Sequence, residues 1–307
     1  MSDGRYRRRA CQGHADLRAI QTLAQRLWTG GPGRWHIGEL ADRPIVPGAA
    51  TLAALALWEH EGRVVAWARR GDGSSAGHPL RLQIDPAHVE LTDELLDWAA
   101  ESPLPAAATA AGTARAGGAV LAVADSEGEL LARLRAAGYR ETTGGSPVLH
   151  LRRTLTDLPT PQTPEGHWLR HVRGDADAGV RATVGAWAGE DPAVAREEWL
   201  RSTRRWPYRP ELDWLAGLTT CGAGVAARLA WLDDVNRSAA LEPVQVTGGV
   251  TQAWLVRATT LAALHAARRY GAVVSTTRVT EDSEAHALHR SLGFTTEARE
   301  LTMARQG

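Results

Sequence analysis

Apolar and polar positions along this chain follow two alternating periods. Leu80-Arg81-Leu82-Gln83-Ile84 alternates strictly, which predicts a half-buried strand, and Asp85-Pro86 ends it before a helix over residues 94–100. Upstream, Glu61-Gly62 makes a turn, and Arg63-Val64-Val65-Ala66-Trp67-Ala68 reads as the strand that leaves it. The later part of the chain repeats the theme. Leu241-Glu242-Pro243-Val244-Gln245-Val246 predicts a short strand running into a turn at Gly248-Gly249. A long helix rich in Ala and Leu follows over residues 252–269, and after Tyr270-Gly271 the β-branched run 272–279 predicts another strand.

Each half closes in the same way. Leu131-Ala132-Arg133-Leu134-Arg135-Ala136-Ala137-Gly138-Tyr139 and Leu288-His289-Arg290-Ser291-Leu292-Gly293-Phe294 are helix ends capped by glycine, each followed by an aromatic that opens a strand. An ending shared by both halves marks an internal repeat. Between the halves, Pro159, Pro161 and Pro164 disfavour helix and predict an extended linker over residues 157–166. The expected division is therefore residues 1–156, a linker at 157–166, and residues 167–307. The alanine-rich run 106–118 reads as a low-complexity loop.

Composition narrows the class. The 307 residues suffice for two domains, and 44% apolar content excludes wholesale disorder. Zero formal net charge argues against a general electrostatic grip on nucleic acid. All 35 basic residues other than histidine are arginine, so no lysine is present to form a Schiff base. Two cysteines make no disulfide framework, and no run reaches the length of a membrane span. A cytoplasmic location is the expectation, with no membrane partner.

The order strand, loop, helix, strand, then Asp282-Ser283-Glu284-Ala285-His286-Ala287-Leu288-His289-Arg290-Ser291-Leu292-Gly293-Phe294 resembles the last third of the GNAT N-acetyltransferase superfamily. That segment usually reads N-x-x-A-x-x-L-Y-x-x-L-G-F; here Asp282 stands at the Asn position and His289 at the Tyr. Arg204-Arg205-Trp206-Pro207-Tyr208-Arg209-Pro210-Glu211-Leu212-Asp213-Trp214, Trp231-Leu232-Asp233 and Leu241-Glu242-Pro243-Val244 are similar to a tandem GNAT group common in actinobacteria. The resemblance implies an α/β fold of two tandem GNAT domains, each a mixed twisted sheet flanked by helices. It also exposes a departure. The family's pyrophosphate loop, Q/R-x-x-G-x-G/A, binds CoA phosphates on backbone N–H groups at a helix N-terminus. Here it falls on Thr251, Gln252, Ala253, Trp254, Leu255 and Val256, with Trp254 and Val256 in the small positions. A slip by one residue puts Leu255 and Arg257 there instead. Neither register leaves room for a pyrophosphate, and Asp85-Pro86-Ala87-His88-Val89-Glu90-Leu91-Thr92 in the first half has no glycine.

The resemblance implies a notch between residues 242–246 and 272–279, with Val244 and Val246 at the acyl carbonyl and Gln245 between them. Glu242 is either the base that takes the amine proton or a structural carboxylate paired with Arg257. His289 is either the acid that protonates the leaving thiolate or an exposed helix residue beside His286. Trp254 either blocks the old pyrophosphate site or packs against a replacement ligand, and Arg257 and Asp282 complete the donor-side set. His286 and His289 lack the carboxylate or cysteine company of a metal site, so none is expected. Arg201, Arg204, Arg205 and Arg209 around Trp206 and Tyr208 could meet a phosphate-rich donor or serve the fold alone. The expected function is N-acylation of a small-molecule amine in specialised metabolism. The donor would be an aminoacyl-tRNA or a carrier-protein thioester rather than free acetyl-CoA. The alternatives are an acyl-CoA-dependent N-acetyltransferase with an atypical loop, and a non-catalytic binding protein of the same fold. Acetyl-CoA or another acyl-CoA is a cofactor only if that loop still binds it.

Overall fold

The computed structural model describes residues 5–28, 35–41, 54–70, 80–101, 120–142, 144, 146–185, 191–247 and 253–305. Residues 106–118, Gly248, Gly249, Thr251 and Gln252 lie outside them. The chain forms two compact units. Unit 1 holds residues 1–35, 44–148 and 298–307, and unit 2 holds residues 36–43 and 149–297. The contact boundary precedes the proline run because Leu149, Leu151 and Leu155 are buried in the core of unit 2. Within unit 2 that run is held to the chain by His265 Nε2 at the Pro159 carbonyl, 3.0 Å, and Arg268 Nη1 at the Thr156 carbonyl, 3.0 Å.

Unit 1 runs β1 (Arg7–Ala10), α1 (His14–Leu27), β2 (Leu55–His60), β3 (Arg63–Arg70), β4 (Leu80–Ile84), α2 (Leu91–Glu101), β5 (Val120–Ala124), α3 (Gly128–Ala136) and β6 (Tyr139–Glu141). The chain continues in unit 2 with β7 (Val148–Thr154), β8 (His167–His171), α4 (Ala178–Gly185), α5 (Pro192–Thr203), β9 (Asp213–Leu218), β10 (Gly224–Asp233), β11 (Ser238–Leu241), β12 (Gln245–Val246), α6 (Ala253–Arg269), β13 (Val274–Thr280) and α7 (Glu284–Ser291), and ends on β14 (Thr295–Arg305), which from Ala298 belongs to unit 1. The sheet order is β1-β2-β3-β4-β5-β14 in unit 1 and β7-β13-β11-β10-β9-β8 in unit 2. β4 pairs with β5 in parallel, and so does β11 with β13. The neighbour of β5 is thus the last strand of the chain, and that of β13 is the strand closing the first repeat. This exchange is why residues 298–307 count with unit 1.

The repeat extends further than its glycine-aromatic endings. Arg9-Ala10-Cys11-Gln12-Gly13-His14-Ala15-Asp16 and Arg170-His171-Val172-Arg173-Gly174-Asp175-Ala176-Asp177 share Arg, Gly, Ala and Asp in register. Both build one device. Arg9 grips Asp16 with two bonds of 2.6 Å while Gln12 N–H donates to that carboxylate; Arg170 and Arg173 N–H do the same to Asp177. The arginine holds each carboxyl below its usual pKa range, and burial opposes it. Trp67 and Trp231 also match. Asp85 N–H bonds the carbonyl two residues before the first tryptophan, and Glu242 N–H the carbonyl two residues before the second. Asp85-Pro86 and Glu242-Pro243 are therefore equivalent strand ends.

In unit 2 the alanine-rich α6 packs close on the sheet. Its Leu261, Ala263, Leu264 and Ala267 are buried with Ala230, Leu232, Ala239 and Phe294. The opposite face of β10 carries Leu229 and Trp231, covered by Ala41 and Tyr208. Gly38 is needed there: a Cβ at residue 38 would lie 2.0 Å from Trp231 Cβ. Among the described residues no helix is long and apolar enough to cross a membrane.

Candidate functional site

The predicted strand over residues 241–246 is not continuous. β10 pairs Ala230 with Leu241, and Ala227 with Gln245. Three residues, Glu242, Pro243 and Val244, therefore oppose two, Arg228 and Leu229, which is a β-bulge. The physical reason is Pro243, which has no N–H to give the ladder. Glu242 N–H still reaches the Leu229 carbonyl at 3.0 Å, and Thr247 N–H rejoins at Val225 O, 2.8 Å. On its other side β11 pairs with β13 only from Ser238 opposite Val274 to Ala240 opposite Thr276. Beyond that point β12 stays with β10, leaving a notch bounded by residues 242–246 and the end of β13. The strand at β13 begins at Val274 rather than Ala272, because Ala272 N–H caps α6 and Val273 N–H bonds Arg237 O.

Glu242, Val244, Gln245 and Val246 thus meet at one bulge. Glu242 is half-buried, and its Oε1 accepts from Trp231 Nε1 at 2.7 Å. Arg257, the partner in the structural alternative for Glu242, bonds elsewhere: its Nη1 reaches Ser291 Oγ at 3.2 Å, joining α6 to α7. Gln245 Oε1 accepts from Arg181 Nη1 of α4. Arg181 is itself anchored by Asp213, which is fully buried and also accepts from Trp199 Nε1 at 3.0 Å and Tyr208 hydroxyl at 3.2 Å. Burial, reinforced by the Asp213 charge, raises the Tyr208 pKa far above its usual value. The block around Trp206 and Tyr208 is therefore a brace for the bulged strand. Its arginines follow suit: Arg205 bonds the Ala41 carbonyl at 3.1 Å and Arg209 approaches Asp234 at 3.7 Å.

His289 is buried at 1% exposure, not exposed on its helix. Its Nδ1 lies 2.6 Å from the Ala285 carbonyl and its Nε2 2.7 Å from Arg228 Nη2. A carbonyl only accepts and a guanidinium only donates, so the neutral ring carries its proton on Nδ1. Burial first, then the Arg228 charge, push its pKa down to about 4. No proton sits on Nε2 for a leaving group. Arg228 was not singled out in the sequence; a basic residue at an inward position of an otherwise apolar strand was the available signal.

Trp254 begins α6, where its ring meets His167 edge-on with centroids 4.5 Å apart and packs on the cluster of Ala216, Ala226 and Leu255. Asp282 is exposed at the turn into α7 with φ +60°, a left-handed conformation that Asn and Asp tolerate better than most residues. Its N–H donates to His286 Nδ1 at 3.3 Å. In unit 1 the equivalent strand parting holds a cavity of about 180 Å³ bordered by Ile84, Pro86, Glu127, Glu129 and Leu130, with no basic side chain in its lining.

No protein-family model and no curated protein matches the chain. Solved structures do. A GCN5-related N-acetyltransferase from Sphaerobacter thermophilus superposes with a TM-score of 0.61 at 20% identity, covering 100% of this chain and 98% of that one. A tandem GNAT protein from the clavulanic acid biosynthesis pathway gives 0.60 at 16% identity, covering 97% and 98%. A GNAT-family acetyltransferase from Colwellia psychrerythraea gives 0.58 at 14%, covering 98% and 100%. The chain has the fold of two tandem GNAT domains.

Proposed function

We propose that the chain is an N-acyltransferase that acts in the notch of unit 2 and takes its acyl group from a donor other than free acetyl-CoA. The observation that carries the reading is the bulge at Glu242-Pro243-Val244. It turns a strand away from β13 and leaves a carboxylate at the opening, on a fold shared with acetyltransferases. In the reaction an amine nitrogen attacks the donor carbonyl carbon, a C–N bond forms, and the C–S or C–O bond to the carrier breaks. Glu242, directly or through water, takes the amine proton, and the leaving thiolate or alkoxide takes one from water. Val244 and Val246 present backbone to the developing oxyanion, and Gln245, held by Arg181, keeps that backbone in place. His289 is a positioning residue that holds Arg228.

The donor assignment rests on the start of α6. An indole packed on His167 occupies a position where a pyrophosphate site needs a glycine. An aminoacyl-tRNA or a carrier-protein thioester delivers its acyl group without that contact, and a small-molecule amine of specialised metabolism is the acceptor. The test is a transfer assay with each donor and a panel of amines, read by mass spectrometry, on wild type and Glu242→Gln. The glutamine keeps an acceptor for Trp231 and cannot take a proton, so the rate should fall by about 10²–10⁴-fold with melting unchanged. Ribonuclease abolishes transfer from a tRNA donor and spares a carrier donor. Equal rates in the two proteins would remove Glu242 as base, and product with acetyl-CoA alone would restore an acyl-CoA enzyme. Absence of product from every donor would leave a binding protein of this fold.

A further inference from the structure

Arg228 is 1% exposed, and among the described residues no carboxylate stands within ion-pairing distance of its guanidinium. Among the described residues its one hydrogen bond is to the neutral His289, and its Nε has no acceptor. Arg181, also buried, pairs by contrast with Asp213, and Arg170 pairs with Asp177. Taking a cation out of water without a counter-charge is costly, so a buried guanidinium left in this state calls for an explanation.

The fold itself does not require it. Counted from the matched tryptophans, Trp231 and Trp67, the first repeat carries Val64 where the second has Arg228. Counted from the matched glycines, Gly293 and Gly138, it carries Leu134 where the second has His289. Val64 and Leu134 are both buried. The same architecture is therefore built once with two apolar side chains and once with a cation and the ring that holds it. The polar pair belongs to the repeat whose strand continues past the proline as a bulge. Arg228 is one of the two β10 residues opposite that bulge, and Glu242 is the acid whose charge it feels. Among the described residues no ion pair joins the two; Glu242 Oε1 accepts from Trp231 Nε1.

We infer that Arg228, steadied by His289, is a carboxylate-binding subsite at the floor of the notch in unit 2. The molecule that reacts there thus carries a carboxylate, either on the acyl group or on the amine. A planar carboxylate matches the edge of a guanidinium and brings one negative charge to one positive charge. A phosphate dianion would leave a surplus charge in the same buried place. The inference rests on the notch being the reaction site only for the origin of this carboxylate, and binding is measured without turnover.

The experiment is a thermal-shift titration of the full chain with four probes: succinate for a dicarboxylic acyl group, β-alanine for an amino-acid acceptor, methylamine as a control without a carboxylate, and inorganic phosphate. A saturable rise in Tm of about 2–4 °C with succinate or β-alanine is expected, and which of the two acts says where the carboxylate belongs. Arg228→Met should lose that shift while its own ligand-free Tm stays level or rises, because an unpaired buried charge has gone. If Arg228→Met does not fold, the double variant Arg228→Val/His289→Leu reproduces the pair of the first repeat and takes its place. Wild type unmoved by either carboxylate, a shift with phosphate or methylamine alone, or a carboxylate shift that survives in the variant would each overturn the inference. Binding in wild type lost in the variant, with no amide formed from any donor, would keep the subsite and remove only the transferase reading.

Discussion

Acidification should find His289 first. The ring is neutral in the folded chain with a pKa near 4, against about 6.5 in an unfolded one. Between those values the unfolded chain binds a proton that the folded chain refuses, so stability falls as the pH drops through this window. From pH 6.5 to 5 the loss amounts to 1.5 units at about 1.4 kcal/mol each, roughly 2 kcal/mol. Above pH 7 the contribution is flat, and below pH 4 the folded ring protonates too. His36 is also fully buried and depressed by burial, so it adds a slope of the same sign. His289→Gln isolates the effect: the amide oxygen can accept from Arg228 as Nε2 does, and it does not titrate. Urea unfolding of both proteins at half-unit steps from pH 7.5 to 5 measures it. The wild-type curve should lose about 2 kcal/mol more than the variant across that range. Curves that stay parallel would mean that His289 is not a buried neutral acceptor.

Two further substitutions probe the support of the notch. Asp213→Asn leaves Arg181 buried without its counter-charge and should cost about 3–5 kcal/mol in urea unfolding; a loss below 1 kcal/mol would show that the brace behind Gln245 is not electrostatic. Gly38→Ala places a methyl group against Trp231 Cβ and should lower stability by about 1–3 kcal/mol, read as a fall in Tm. An unchanged Tm there would mean that residues 36–41 do not pack on β10.

Much of the frame was legible because it depends on local chemistry. Alternation marked β4, the alanine-rich period marked α6, and the glycines after α3 and α7, at φ +88° and +82°, punctuated both repeats. Of the site, the sequence placed Glu242 and its strand but drew that strand straight, because a six-residue apolar pattern outweighed the missing N–H of Pro243. Arg228 stayed hidden for a different reason. Its meaning depends on what faces it from α7, 61 positions away in the chain, and on the lack of an ion-paired acid among the described residues. The arginine-rich block around Tyr208 could be read from the sequence either as a phosphate contact or as part of the fold; Asp213, which gathers Arg181, Trp199 and Tyr208, favours the second.

The central claim, transfer from a donor other than free acetyl-CoA, meets its most direct test in a calorimetric titration of the purified chain with acetyl-CoA and CoA. No binding heat is expected up to millimolar ligand, and no rise in Tm beside it. Micromolar binding of either would contradict it, showing that the start of α6 holds a pyrophosphate despite Trp254.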